Sequence, residues 1–216
     1  MKLVKDNEPL SALTHFLGLI LSIVGLILMV VFASLKHKHV EVVGLSIFGA
    51  SLILAYSASF VYHIFAKEHK IKKTLQKIDH AMIFVLIAGT YTPVGISMPN
   101  KALGWSIFGI IWGVALVGII IKAVDIKIPA WLSTLLYLSA GWLVTLAIVP
   151  ITKWLGMSAV WWLIAGGLAY SIGTIFFALE NYVKRSRWWG MHEIFHLFVM
   201  LGSFCHFWLM FHYLIR

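Results

Sequence analysis

Residues 13–34 read LTHFLGLILSIVGLILMVVFAS. A helix needs roughly 20 mostly apolar residues to cross about 30 Å of hydrocarbon. This run is too long for the apolar core of a signal peptide and ends in no small-residue cleavage site, so it is expected to stay in place as a first membrane span. The segment ahead of it carries Lys2, Lys5, Asp6 and Glu8. Six further runs of the same kind follow, over residues 43–66, 79–98, 103–121, 131–149, 158–179 and 191–214. The connections between them are too short for a soluble domain. The expected fold is all-α: one seven-transmembrane helix bundle filling residues 1–216 as a single domain.

Composition supports this reading. The chain is 61% hydrophobic and 12% charged, with a mean hydropathy of +0.94. Soluble domains are about 45–50% apolar and about 25% charged, and a fold of this size could not hide the excess. Lipid is the natural solvent for it. The one cysteine, Cys205, lies within the last apolar run and reads as a small buried hydrophobe.

The net charge of +9 does not signal nucleic acid, because the basic residues sit in short connections, where they set topology. With the N-terminus inside, the cytoplasmic face carries Lys2, Lys5, Lys67, Lys70, Lys72, Lys73, Lys77, Lys122, Lys127, Lys184, Arg185 and Arg187. The outer face carries Lys36, Lys38, Lys101, Lys153 and Arg216. This imbalance predicts a cytoplasmic N-terminus and an outside C-terminus, in a multi-pass protein of the cell membrane. Trp131, Trp154, Trp161, Trp162, Trp188 and Trp189 lie near expected span ends, as interfacial aromatic belts do.

Ionisable groups within spans are costly and usually face the bundle interior, so they are the best functional signal. The set here is small: Ser59, His63, Asp79, His80, His192, Glu193 and His196, with Thr14 and His15 opening the first span. Topology brings His63 at the end of span two, Asp79 and His80 at the start of span three, and His192 and His196 at the start of span seven to one layer. His192 and His196 are one helical turn apart and share a face. Two such imidazoles plus a third from another helix give three protein ligands, the usual complement of a catalytic zinc with water in its fourth position. His63, His192 and His196 are therefore the expected metal ligands, with Asp79 holding the water or supporting a ligand. His15 and His80 read as packing or supporting groups. His206 and His212 lie about 15 Å and about 24 Å further along the last helix, too far to share that metal.

His192-Glu193-Ile194-Phe195-His196 is also a literal H-E-x-x-H, the pattern of zinc peptidases with a glutamate base. No Asp or Glu follows Glu193 to supply a later ligand, so an intramembrane metallopeptidase is the lesser reading.

Four segments together carry a family likeness: Glu8-Pro9-Leu10-Ser11-Ala12-Leu13-Thr14-His15; Ser59-Phe60-Val61-Tyr62-His63; Lys77-Ile78-Asp79-His80 with Ala88-Gly89-Thr90-Tyr91-Thr92-Pro93; and His192-Glu193-Ile194-Phe195-His196-Leu197-Phe198. Over nearly its whole length the chain resembles hemolysin III-type proteins, the bacterial branch of the progestin and adipoQ receptor family that includes the adiponectin receptors. The resemblance implies seven helices with zinc near the cytoplasmic surface, held by His63, His192 and His196. It implies that Asp79 and Ser59 flank the water. It also implies a ceramidase-like activity on membrane lipids, with a ceramide-like or other fatty-acyl substrate. Adiponectin receptors carry glutamine where this chain has Glu193, which weakens a base role for Glu193.

The resulting expectation is zinc-dependent hydrolysis of a lipid amide or ester, with Asp79 as general base and Ser59 steadying the developing oxyanion. Three alternatives compete. A membrane-state sensor would hold zinc in a closed structural site. A cytolysin would need a polar stripe along several helices, whereas the polar groups lie at one depth. A transporter or proton relay would need ionisable groups at mid-membrane, where His206 alone comes close. Gly89, Thr90 and Pro93 mark either a kink in span three or simple close packing.

Overall fold

A computed structural model describes residues 8–66, 68–180, 182–183, 186 and 189–216. Lys2, Lys5, Lys67, Lys184, Arg185, Arg187 and Trp188 lie outside the described residues. The described residues form α1 (Pro9–Leu35), α2 (His39–Ile64), α3 (Lys72–Ser97), α4 (Lys101–Ala123), α5 (Ala130–Trp142), α6 (Ile148–Leu155), α7 (Met157–Leu179) and α8 (Met191–Leu209), joined by short turns. Helices α5 and α6 are joined by a 3₁₀ turn over Leu143–Ala147 and form one span, and a π-helical turn extends α8 to Leu214. Among the described residues, seven spans are long and apolar enough to cross a membrane.

On the first span the lipid-facing side is bulky and apolar, while the inward side is mostly small. On α1, Leu17, Leu21, Val24 and Leu28 are exposed, while Gly18, Ser22, Gly25, Met29 and Ala33 are buried. Small inward residues let helices approach closely where lipid removes any hydrophobic drive between them. A Cβ on Gly18 would come within 2.6 Å of the Tyr56 ring, and one on Gly104 within 2.1 Å of the Gly95 carbonyl. The α3–α4 hairpin that holds Gly95 and Gly104 is closed by Asn100, whose side chain accepts from the Leu103 N–H at 3.1 Å.

The α5–α6 span departs from a plain helix. Its 3₁₀ turn frees main-chain groups inside the bundle, and such backbone survives in lipid only when protein satisfies it. Tyr91 of α3 does this: its hydroxyl lies 2.9 Å and 2.7 Å from the Ala140 and Gly141 carbonyls and accepts the Val144 N–H at 2.7 Å. Pro93 is buried inside α3. Around it, Gly44 and Gly89 let α2 press on α3, a Cβ on either reaching within 2.7 Å of Pro93 Cα or 2.2 Å of Ser51 Oγ respectively. These glycines serve packing.

Helix α3 starts at Lys72, before its apolar run, so Lys72, Lys73 and Lys77 lie on the helix and not in a free connection. Lys72 Nζ donates to the Tyr62 and Phe65 carbonyls at 2.6 Å and 2.9 Å. A cation placed on the exposed carbonyls of a helix end complements their partial negative charge. This contact fixes the end of α2, which carries His63, against the start of α3, which carries Asp79. That end of the bundle, where Glu8, His63, Asp79, Glu180 and His192 gather, is called the site end below.

Candidate metal centre

Two helix ends supply the three histidines. The i, i+4 spacing in the first turns of α8 points His192 and His196 the same way, and the last turn of α2 brings His63 against them. One ring nitrogen from each of the three lies within 4.8 Å of the other two. His63 and His196 are each 1% exposed, and His192 is partly exposed.

Each ring has its Nδ1 engaged. His63 Nδ1 is 2.7 Å from Glu8 Oε2, and His192 Nδ1 is 3.0 Å from Glu180 Oε2. His196 Nδ1 is 3.1 Å from Thr14 Oγ1. The Thr14 hydroxyl gives its one proton to the Ser11 carbonyl at 3.0 Å, so toward His196 it can only accept. All three rings therefore carry their proton on Nδ1 and turn an Nε2 lone pair inward. His63 Nε2 and His192 Nε2 are 3.3 Å apart. Two lone pairs that close repel unless a cation lies between them. Two nitrogens on one tetrahedral zinc, with bonds of 2.0–2.1 Å, sit about 3.3–3.4 Å apart. The donor set thus fits a metal ion, and the carboxylate-to-histidine pairs are the outer partners that orient metal-bound imidazoles.

Glu8 and Glu180 are the supporting residues that sequence reasoning missed. Thr14 was visible as a polar residue opening the first span, without its partner. His15 is buried and stacks on His196 with ring centroids 3.6 Å apart, so it supports by packing. His80 lines the same interior from α3, and its carbonyl accepts from the Tyr137 hydroxyl at 3.0 Å.

Asp79 and Ser59 face the same interior as His192 and His196. Ser59 and His192 both lie within electrostatic reach of the Asp79 carboxyl. Glu193 is placed differently. It is fully buried, its Oε1 accepts from the Ser11 hydroxyl at 2.9 Å, and its Oε2 accepts from the Gly190 N–H at 2.8 Å. It caps α8 and ties α8 to α1, as the glutamate of a capping box does. Its direction, away from the lone pairs of the flanking histidines, follows from the roughly 100° between successive helical residues.

His192 and His196 open onto a cavity of about 780 Å³ that is walled chiefly by α2, α3, α4, α5, α7 and α8. Its site end is polar, with Ser59, Asp79, His80, Lys122 and Ser133, and its wall toward the far end is mostly apolar, with Leu86, Val94, Met98, Ile107 and Leu163. Where the interior reaches α5, Lys122 Nζ donates to Ser133 Oγ at 2.8 Å.

Seven spans around a buried three-histidine cluster that could hold a metal ion, with an acid, a serine and a long cavity beside it, define a multi-pass membrane protein. The model of the family described as "Haemolysin-III related" matches residues 3–207, and the chain belongs to that family. It is 37% identical over 197 residues to the "Hemolysin-3 homolog" of Bacillus subtilis, spanning 91% of this chain and 89% of that protein. It is 38% identical over 197 residues to "Hemolysin-3" of Bacillus cereus, spanning 91% and 87% respectively.

Proposed function

We propose that this protein is a zinc-dependent hydrolase of membrane lipid amides or esters, ceramidase-like in its chemistry. The observation that carries the reading is the junction of the three histidines with Asp79, Ser59 and a cavity of about 780 Å³ whose wall turns from polar to apolar. A closed structural site needs no such cavity, whereas a lipid substrate needs a polar place for its head and an apolar one for its chain. His63, His192 and His196 would hold the zinc, with Glu8, Glu180 and Thr14 fixing their rings. Zinc at such a site polarises a carbonyl and acidifies a water, the two demands of hydrolysis.

The chain's own residues supply the rest. Asp79 takes a proton from the attacking water and returns it to the leaving group, a general-base and then general-acid role. Ser59, which lines the same cavity as Asp79, orients that carboxylate and donates to the developing oxyanion. Apolar residues along the cavity exclude bulk water and seat the acyl chain. The Lys and Arg distribution supports a cytoplasmic site end, in a one-domain protein of the cell membrane.

Two further readings remain as outcomes of the test. The relatives are named for haemolysis, and a sensor could hold zinc with no turnover. A peptidase that used Glu193 as its base would need that carboxylate at the substrate, but Ser11 and Gly190 occupy it.

The test is metal content of the purified protein, beside fatty-acid release from a panel of ceramides and phospholipids by wild type and Asp79→Asn. One zinc per chain with release abolished in the variant is the expected result. Zinc without release from any lipid would favour the sensor, and leakage of vesicles without release would favour the cytolysin.

A further inference from the structure

The cavity carries a second polar layer, deeper than the metal centre. Tyr56 of α2 donates its hydroxyl to Ser203 Oγ of α8 at 2.8 Å. The Tyr170 hydroxyl of α7 is 3.0 Å from the same oxygen. One turn beyond Ser203, the His206 ring stacks on Tyr170 with centroids 5.7 Å apart. Space for that ring comes from Gly166, where a Cβ would approach His206 Nε2 to 2.6 Å. His206 is 6% exposed, and its Nδ1 is buried without a hydrogen-bond partner among the described residues. Tyr56, Tyr170 and His206 all line the cavity.

A buried imidazole, two phenols and a hydroxyl are expensive at mid-span and mark function there. A polar atom left unpaired in such a place carries a desolvation cost that a ligand oxygen would relieve. His196, Ser203 and His206 recur on one face of α8 at steps of seven and three residues, so the metal centre and this layer look into the same space. Ten residues separate His196 from His206, about 15 Å along the helix. An extended chain advances about 1.2 Å per bond, since three backbone bonds cover 3.3–3.6 Å. An acyl chain whose head lies at the histidines therefore passes His206 at about its twelfth carbon.

We propose that His206, Tyr170 and Tyr56 form a subsite that selects an acyl chain bearing a hydroxyl or carbonyl oxygen partway along its length. This rests on the lipid reading above for placing the head of the chain at the metal centre. It specifies the substrate class as oxygenated acyl lipids, which an all-apolar cavity would reject.

The test is displacement of tritiated octadecanoate from the full chain in phosphatidylcholine nanodiscs. The competitors are octadecanoate itself and its derivatives with a hydroxyl at about the twelfth or about the sixth carbon. The expected result is that the first derivative competes about 5–10-fold better than the unsubstituted chain, as one added buried hydrogen bond allows, and that the second does not. His206→Phe should reduce that preference to less than about twofold, and Tyr170→Phe should reduce it as well, with octadecanoate affinity retained in both. Tyr170→Phe keeps the ring and so guards against a folding defect in the histidine variant. Equal competition by all three chains in wild type, or a preference that survives both variants, would overturn the subsite and leave the lipid reading standing. Failure of octadecanoate itself to bind would overturn both.

Discussion

His15 lies flat on His196, the ring planes within 12° and the centroids 3.6 Å apart, and neither His15 nitrogen has a hydrogen-bond partner among the described residues. The same His15 ring meets Tyr56 edge-on at 5.1 Å. It is a spacer between α1, α2 and α8 that denies His196 any other orientation. Its contribution should come from the ring and not from its nitrogens. His15→Phe is expected to keep zinc affinity within about threefold of wild type, and His15→Ala to lose about tenfold, the range seen when the support of a metal ligand is removed. Competition with a calibrated chelator measures both. A phenylalanine variant as weak as the alanine one would make His15 a ligand.

Removing the partners of Nδ1 should loosen the metal without removing a ligand. Glu8→Gln and Glu180→Gln are each expected to reduce zinc affinity by about 10–100-fold. The effect of Glu8 should be the larger, because its pair with His63 is buried while Glu180 is partly exposed. His63→Ala should abolish binding at micromolar zinc, since two imidazoles are fewer than a catalytic site uses. Metal retained through dialysis, by elemental analysis, reads out all three.

Glu193→Gln separates a capping role from a catalytic one. The amide keeps an acceptor for one of the two donors, Ser11 Oγ and Gly190 N–H. The expected loss is about 1 kcal/mol of stability, with zinc content unchanged and lipid hydrolysis retained. A thermal midpoint and a hydrolysis rate on one preparation decide it: a stable, zinc-loaded but inactive variant would restore Glu193 as a base.

The tight helix contacts predict which glycines cannot grow. Gly104→Val would drive a side chain into the Gly95 carbonyl, a main-chain atom that cannot rotate away. It should cost about 3 kcal/mol or more and leave little folded protein. Gly113→Ala, where an added Cβ meets nothing within 4 Å, should be tolerated. Monodispersity on size exclusion compares the two.

Between α4 and α5, Asp125 lies 3.1 Å from Lys77 Nζ and 3.4 Å from Lys73 Nζ. The Lys77 hydrogen bond, ahead of the Lys73 contact, holds its carboxyl below the usual range. A depressed carboxylate stabilises the fold above its ordinary value near 4 and loses that effect as pH falls through the lower folded value. Asp125→Asn should thus lower the thermal midpoint slightly at pH 7 and make no difference once the wild-type carboxylate is protonated. Exposure keeps the difference small. A midpoint difference that grew on acidification would refute the pairing.

The seven spans were legible because lipid imposes a length and a composition that nothing else in the chain imitates. His63, His192 and His196 were legible because polar groups stand out against apolar runs and the topology places them at one level. Their supports were not. Glu8 precedes the first helix and Glu180 follows α7, and at both places a charged residue is ordinary in sequence. Only the meeting of α1, α2, α7 and α8 makes them partners of His63 and His192. The 3₁₀ turn over Leu143–Ala147 was hidden for a similar reason, since the hydroxyl that stabilises it comes from Tyr91, two spans earlier. The sequence reading also placed the polar groups at one depth. Tyr56, Tyr170, Ser203 and His206 form a second level that appears only when three helices are brought together.

The metal centre joins the first described helix to the last. Glu8, Ser11, Thr14 and His15 of the α1 region reach His63, Glu193 and His196, and two of the three ligands come from α8. During synthesis α1 enters the membrane before α8, so Ser11, Thr14 and His15 wait through the intervening spans for their partners Glu193 and His196. A ribosome that stops short of α8 releases a bundle with one of three histidines and no means of holding an ion. A metal held by His63, His192 and His196 would therefore certify completed insertion, because two of its three ligands arrive only with the last helix.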